Sequence, residues 1–200
     1  MNELETLMAV SLGLGLAAAS GFRVFIPPFL YGLSLRFDMV PISLPMTGLS
    51  EWMASDFGLI ILGAAMLIEI LGYYIPWIDN LLDTIASPAA ILAGVLMMSS
   101  TLSDSNPMIQ WGFSIIAGGG VSGTVQIGTV ATRAVSTATT GGLANPVVST
   151  VEAGACLLCT ILALLLPIIA LLLVIVLVGF SGNRLRTKFS SDNSPSMDIP

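Results

Sequence analysis

Residues 57–75, FGLIILGAAMLIEILGYYI, form an apolar run of the length that a helix needs to cross a lipid bilayer. One charged residue, Glu69, interrupts the run. Tyr73 and Tyr74 at its end suit a position at the level of the lipid headgroups. The stretch therefore predicts a membrane-spanning helix, and similar apolar runs occupy most of the chain on both sides of it.

The composition of the whole chain supports the same location. Apolar residues make up 55% of the 200 residues, charged residues make up 9%, and the mean hydropathy is +0.95. A soluble domain carries about 25% charged residues. We predict an all-α fold, a polytopic transmembrane helix bundle with about five principal spans plus proline-broken half-helices. Residues 1–180 form this single domain, and residues 181–200 are predicted to be a polar, disordered tail.

The distribution of charge indicates the orientation and excludes one class of partner. The net charge is −6, and a basic cluster occurs only at Arg184, Arg186 and Lys188. We therefore expect no nucleic-acid partner, and the lipid bilayer is the expected surrounding. The positive-inside rule places this C-terminal cluster in the cytoplasm. The side of the N-terminus depends on whether the fragment Pro27–Phe37 crosses the bilayer or re-enters it.

Prolines and glycines interrupt the apolar runs at three places. The first run, residues 4–22, is followed by Pro27 and Pro28, so residues 29–37 are predicted to be a half-helix or an interfacial segment. Residues 137–145, which include two adjacent glycines, are predicted to be irregular backbone. The last run, residues 147–180, is predicted to kink at Pro167.

Small residues at four-residue spacing predict close helix contacts within a membrane. One such stripe lies in the first run, and another lies in the span that begins at Met108, which we expect at the centre of the bundle. Such stripes also suit a homo-oligomer or a membrane partner. The first run contains the stripe Gly13, Ala17 and Gly21, and the later span contains the pair Gly119 and Gly123 beside a second stripe of Gly120, Thr124 and Gly128.

Polar side chains inside or near the spans are the candidate functional residues. A charge at the centre of a membrane helix costs at least about 2.5–3.5 kcal/mol, so such residues pair with each other, face water or serve a function. Snorkelling to the interface and structural salt bridges are the alternatives for each residue alone. The candidate intramembrane polar site consists of Arg23, Glu69, Asp79, Asn80, Asp83, Arg133, Asn145 and Glu152.

Two of these carboxylates lie on a segment with a pattern of its own. Asp79 and Asp83 are four residues apart, so both face the same side of a helix. Over residues 77–87 the apolar residues recur at helical spacing on the opposite side of the helix. This pattern predicts an amphipathic helix at the membrane interface. Pro88 is predicted to start the next helix.

The residues needed for several kinds of chemistry are missing. The sequence contains no histidine, the commonest general base and metal ligand. Cys156 and Cys159 lie in a run of Leu and Ala, where packing is the expected role. We therefore expect no catalytic residue, no metal site and no cofactor.

The chain resembles a family of small bacterial multi-pass membrane proteins classed as a domain of unknown function. The stretches that carry the resemblance are Ser20-Gly21-Phe22-Arg23 with Pro27, Asp79-Asn80-Leu81-Leu82-Asp83, and Thr132-Arg133 followed by residues 139–146 and Glu152. The resemblance covers about residues 10–180. It implies the multi-span fold, the same polar residues and a bacterial inner (plasma) membrane, and it implies no activity.

Three classes of function follow from these features. The leading hypothesis is a small transporter or channel-like protein for an ion, a polar solute or a lipid headgroup, because charged residues adjoin broken helices, as in transporter sites. The alternative is a non-transporting scaffold that packs against a partner through its glycine stripes. The third class, an intramembrane enzyme that uses Asp79 and Asp83, lacks any accompanying catalytic motif.

Overall fold

The structure, a computed structural model, describes residues 2–40, 42, 46, 48–75, 78–103 and 105–192. The side chains of Asn80 and of residues 180–192 lie outside this description. The described part of the chain is helical and contains no strand. The helices are α1 (Glu3–Ser20), α2 (Ile26–Arg36), α3 (Leu49–Ala54), α4 (Asp56–Gly72), α5 (Ile78–Thr101), α6 (Pro107–Phe113), which continues through a π-helical turn at Ser114–Gly119 into α7 (Gly120–Thr140), α8 (Asn145–Leu165) and α9 (Pro167–Asp192).

Helix α1 occupies the centre of the bundle. Its packing surface is made of small residues, so that Gly13 lies against Met98 of α5 and Gly15 lies against Ala163 of α8. In α1, 56% of the residues are buried, against 39% in the apolar part of the helix Pro107–Thr140. The prediction that the glycine-rich span after Met108 lies at the centre is therefore wrong.

The contacts along α1 give the direction of its neighbours. Ala9 packs near Leu102, at the end of α5, whereas Val24, beyond the end of α1, packs near Ala86. Helix α5 is therefore antiparallel to α1. Helix α9 runs parallel to α1, because Gly15 lies against Ala170 and the later residues of both helices also pack together. The start of α1 and the end of α9 consequently lie on opposite sides of the bundle.

Helices α1 and α2 form a hairpin whose tip is residues 21–25. Helix α2 starts with Pro27 and Pro28 in its first turn, where the missing backbone N–H groups are not needed. It then runs back beside α4, with Phe29 against Gly63, and Arg36 pairs with Asp56 at the start of α4. With 11 residues α2 is about 16 Å long. The predicted proline-broken half-helix is confirmed, and it does not cross a bilayer alone.

Four helical stretches among the described residues are long and apolar enough to cross a membrane, which confirms the transmembrane bundle but changes the number of spans. The predicted span at residues 57–75 corresponds to α4, which has 17 residues and is about 25 Å long. The predicted last span is divided at Pro167 into α8 and α9, because Leu166 leaves the helical conformation. The four stretches are Glu3–Ser20, Leu81–Thr101, Pro107–Thr140 and Asn145–Leu165.

Two helix boundaries predicted from the sequence are wrong, because α5 and α7 are both longer than predicted. Pro88 lies inside α5, so residues 78–87 are not a separate interfacial helix. Membrane helices tolerate proline where nearby hydroxyl groups and neighbouring helices support the backbone, and Ser87 Oγ donates to the Asp83 carbonyl oxygen at 2.8 Å. Helix α7 continues to Thr140, so only residues 141–144 are irregular.

The end of the chain is described in part. Helix α9 continues to Asp192, inside the stretch 181–200 for which a disordered tail is predicted. Residues 193–200 of that predicted tail lie outside the described residues.

The packing around α1 can be tested with two glycine substitutions. A Cβ atom at Gly15 would lie 2.6 Å from the Cβ of Ala163, so we expect Gly15→Ala to cost about 1–3 kcal/mol through overpacking. Gly154→Ala is the matched control, because a Cβ atom there meets nothing within 4 Å. Thermal unfolding in detergent should show a lower midpoint for Gly15→Ala only. Equal midpoints for the two variants would contradict the central position of α1.

Candidate functional site

Glu152 of α8 connects two buried arginines. Its carboxylate pairs with Arg23 at the hairpin tip, at 3.3 Å between Arg23 Nη2 and Glu152 Oε2. The same carboxylate accepts hydrogen bonds from Arg133 of α7, from Nε at 3.1 and 3.3 Å and from Nη2. Arg23 also donates from Nη2 to the Ser149 carbonyl oxygen at 3.1 Å. Glu152 thereby joins the hairpin, α7 and α8 at one point.

The ring of Tyr73 packs against both guanidinium groups. The Cζ atom of Arg23 lies 3.8 Å from the ring centroid, and the Cζ atom of Arg133 lies 4.0 Å from it. A cation over an aromatic face is attracted by the ring quadrupole, most strongly where water is excluded. Arg133 Nη1 also lies 3.5 Å from Asp83 Oδ1 of α5. Tyr73 therefore packs against both arginines, and Arg133 links this group to α5.

Glu69 binds the backbone at the hairpin tip. Its Oε1 accepts from the Val24 amide at 2.8 Å, and its Oε2 accepts from the Phe25 amide at 3.0 Å. These amides precede α2 and have no carbonyl partner inside that helix. A carboxylate at a helix N-terminus is stabilised by the exposed amides and by the helix dipole. Glu69 of α4 therefore caps α2 from a neighbouring helix.

A second polar group lies closer to the helix ends. Asn145, the first residue of α8, donates from Nδ2 to Asp79 Oδ2 at 3.0 Å and to Thr137 Oγ1 at 3.1 Å. Asp79 is in the first turn of α5 and is 7% exposed. These contacts tie the start of α5 to the α7–α8 connection, where Gly141 and Gly142 adopt positive φ.

The polar cluster, defined as Arg23, Glu69, Tyr73, Asp79, Asp83, Arg133, Asn145 and Glu152, lies inside the bundle. Arg133 and Glu152 are each about two helical turns, or roughly 10 Å, from the ends of α7 and α8. Their side chains are 5% and 8% exposed, whereas that of Asp83 is 20% exposed. Asp83 is therefore the member of the ion-pair network with the best access to the surface.

Two lateral grooves reach the cluster from the apolar outer surface. One, of about 420 Å³, lies between α7 and α8, and Glu152 is the one charged residue among its described lining residues. The other, of about 250 Å³, lies between α4 and α5 and is lined by Glu69 and Tyr73. The remaining lining of the second groove is entirely apolar, and that of the first is apolar apart from three threonines.

Almost all of the predicted site residues meet in this cluster. The exception concerns Asn80, whose side chain lies outside the described residues. Asp79 and Asp83 are not on a water-exposed face, because α5 continues past Pro88 into the bundle and both carboxylates point toward α7 and α8. The convergence fits neither snorkelling nor a set of isolated surface charges.

The sequence interpretation missed the role of Tyr73, which it assigned to an aromatic belt. Tyr73 lies four residues after Glu69, so the helical spacing places both side chains on the same face at the end of α4. That spacing was the available signal. The spacing does not indicate that two arginines from distant segments pack on the ring, because this depends on the arrangement of the helices.

The predicted packing residues fall into two groups. Ala17 is fully buried, Gly13 and Gly21 contact other helices, and Gly119 and Gly123 lie against Ile91 of α5. A Cβ atom at Gly128 would meet nothing within 4 Å, because this glycine faces the lateral groove and not a helix. Among the described residues, no three Asp, Glu, Cys or His side chains are arranged to hold a metal ion.

One comparison with known proteins gives a match. The model of a family described as a domain of unknown function matches residues 10–185. No curated protein and no solved structure matches the chain.

The contact of both arginines with Tyr73 predicts a stability difference between two substitutions. Tyr73→Leu removes the ring, and we expect the loss of two buried cation–π contacts to cost roughly 2–4 kcal/mol. Tyr73→Phe retains the ring and both cation–π contacts, so it should cost less. Thermal unfolding of the purified variants in detergent measures both. The packing role of the ring is refuted if Tyr73→Leu is as stable as Tyr73→Phe.

Proposed function

We propose, from the geometry of the polar cluster, that this chain, which belongs to the DUF4126 family (a domain of unknown function), is a small membrane transporter for a polar or charged solute. The observation that carries this proposal is the convergence of two arginines and four carboxylates from the hairpin tip, α4, α5, α7 and α8. Transporters commonly place substrate and ion sites where helices are broken inside the membrane.

The charge balance of the cluster supports exchange of protons or cations. Two guanidinium groups face four carboxylates, so full ionisation would leave an excess of two negative charges inside the bundle. Isolated buried charge is strongly disfavoured and is neutralised by a proton or a counter-ion. Glu152 and Asp83 are the proposed sites of exchange, because both bind Arg133 and Asp83 is the more exposed. Arg23 and Arg133 hold these carboxylates or an anionic group in their place.

The scaffold alternative finds less support in the packing. It uses Gly119, Gly123 and Gly128 as the contact with a partner. Gly119 and Gly123 are occupied by Ile91 within the same chain, and Gly128 alone has open space. A scaffold also has no evident need for a cluster of buried charges that lateral grooves reach from two sides. A role as an enzyme is not proposed, since no catalytic motif is recognised.

The proposed location is a bacterial inner membrane with the C-terminus in the cytoplasm. The acidic residues Glu3 and Glu5 start α1, and the end of α9 lies on the opposite side of the bundle. The basic cluster, residues 184–188, lies in the part of α9 that follows its apolar segment Pro167–Gly179. The positive-inside rule assigns this side to the cytoplasm. The polar cluster then lies in the cytoplasmic half of the membrane.

The transport proposal can be tested in proteoliposomes that contain a pH-sensitive dye. Gradients of sodium, potassium, phosphate and acetate salts are imposed in turn, and the internal pH is followed. We expect at least one gradient to move protons through the wild-type protein. Asp83→Asn should slow this movement about tenfold or more, because it removes the ionisable carboxylate that adjoins Arg133.

The matched control is Glu51→Gln, which removes an exposed carboxylate on α3, outside the polar cluster. It should retain the wild-type rate. Equal rates for Asp83→Asn and Glu51→Gln, or no movement of protons with any of the salts, would refute the proposal.

A further inference from the structure

The groove between α7 and α8 runs from the lipid-facing surface of the bundle to the carboxylate of Glu152. Its volume is about 420 Å³, which is in the range of small-molecule sites in proteins. Val147 and Val151 on one wall are 65% and 66% exposed, so the mouth of the groove opens toward the membrane. Phe22 and Leu177 are among the apolar residues that line it. A ligand that suits this groove therefore comes from the bilayer and carries an apolar chain.

The polar side chains that line the groove can accept hydrogen bonds but have no proton to offer. Glu152 is bound by two arginines, and an ionised carboxylate only accepts. The other polar side chains of the described lining are three threonines, and each hydroxyl already donates its single proton to a backbone carbonyl of α7. These hydrogen bonds run from Thr124 to Gly120 at 2.8 Å, from Thr129 to Gln126 at 2.9 Å and from Thr132 to Gly128 at 2.9 Å. A ligand that satisfies this lining is therefore a hydrogen-bond donor.

The carboxylate of Glu152 has capacity for one more donor. Its Oε2 contacts Nε and Nη2 of Arg133 and Nη2 of Arg23. Within the described part of the chain, Oε1 has one contact, with Arg133 Nε at 3.3 Å. The two oxygens of a carboxylate offer about four lone-pair sites. A ligand can therefore donate to Glu152 without displacing either arginine.

The charge at the end of the groove disfavours ligands of either sign. Glu152 is the one charged residue of the described lining, so an anion would face a carboxylate. A cation would approach a carboxylate whose charge Arg23 and Arg133 already compensate, and the second guanidinium group would repel it. An uncharged ligand meets neither repulsion.

We propose that this groove binds an uncharged lipid alcohol, an apolar chain with a hydroxyl head that donates its hydrogen bond to Glu152. A hydrogen bond to an ionised carboxylate is stronger than one between neutral groups, and the surrounding hydrocarbon offers the hydroxyl no comparable acceptor. The valine and leucine side chains of the walls pack against the chain. The inference goes beyond the proposed transport function, because the groove holds its ligand whether or not the polar cluster moves a solute.

Binding can be measured with a dodecanol that carries a photoreactive diazirine on its chain, added to the full chain in nanodiscs of neutral lipid. Illumination should attach the probe to the groove walls, residues 124–132 and 147–155, as read by peptide mass spectrometry. Unlabelled dodecanol, dodecyl methyl ether, dodecyltrimethylammonium and dodecyl phosphate then compete at equal membrane concentration. We expect dodecanol to compete about tenfold or more better than the ether, which has the same chain and no donor. Both charged ligands should compete more weakly than dodecanol.

Two glycine variants assign the site. A Cβ atom at Gly128 meets nothing within 4 Å, so Gly128→Leu should fill the groove without disturbing a packed neighbour. It should reduce the labelling of the groove about tenfold or more, because the side chain excludes the lipid. Gly154→Leu is the matched control, since Gly154 is equally open but lies outside the described lining. It should be labelled as the wild type is.

A third variant tests the acceptor. Glu152→Gln keeps the size of the side chain and removes its charge, so the advantage of dodecanol over the ether should fall severalfold. Thermal unfolding in detergent shows whether this variant retains the fold. The comparison of dodecanol with its ether on the wild-type protein does not depend on it.

The outcomes decide the inference separately from the transport proposal. Equal competition by dodecanol and its ether overturns the hydrogen bond, and stronger competition by either charged ligand overturns the uncharged class. Labelling outside the groove, or unchanged labelling in Gly128→Leu, overturns the site. Labelling of the groove with the expected ligand preference and variant pattern supports the inference, even if the proteoliposomes show no flux and the transport proposal fails.

Discussion

Two guanidinium groups are buried at the level of the membrane, and the rest of the structure is arranged to satisfy them. Arg23 and Arg133 come from segments more than a hundred residues apart, and both bind the single carboxylate of Glu152. An unpaired buried charge is disfavoured far more strongly than an apolar contact of the same size is favourable. The pairing therefore fixes the position of α8 between α7 and the hairpin tip. Tyr73 adds an aromatic surface for both cations, and Arg133 connects them to Asp83 of α5.

The second constraint comes from the backbone of the hairpin. The chain turns at residues 21–25 among buried side chains of the bundle, which leaves amides without helical partners in a region that excludes water. Glu69 accepts from two of these amides, so the break is stable only while α4 lies beside α2. The arginine at the tip is thereby held next to Tyr73. Broken backbone and buried charge consequently occur together, and each helps to stabilise the other.

Several local features were predictable because they depend on residues close in sequence. The prolines at residues 27 and 28 predict a break after the first helix, and the α1–α2 hairpin has it. Pro88 offered the same type of signal, yet α5 continues through it, because neighbouring helices and the Ser87 hydroxyl support the backbone there. A proline rule alone cannot separate these cases. The difference lies in what packs around the residue, and this is a tertiary property.

The sequence by itself determined that this is a helical membrane protein, that its helices break after the first span and at Pro167, and which charged residues are too costly to bury alone. These conclusions follow from hydropathy, chain length and the desolvation of charge, which are properties of short segments. Only the tertiary structure decided that Arg23, Arg133 and Glu152 share one ion pair, that Tyr73 lies against both cations, and that a groove opens to lipid beside Gly128. Such contacts join residues far apart in the chain, and hydrophobic pattern carries no information on which helix faces which neighbour.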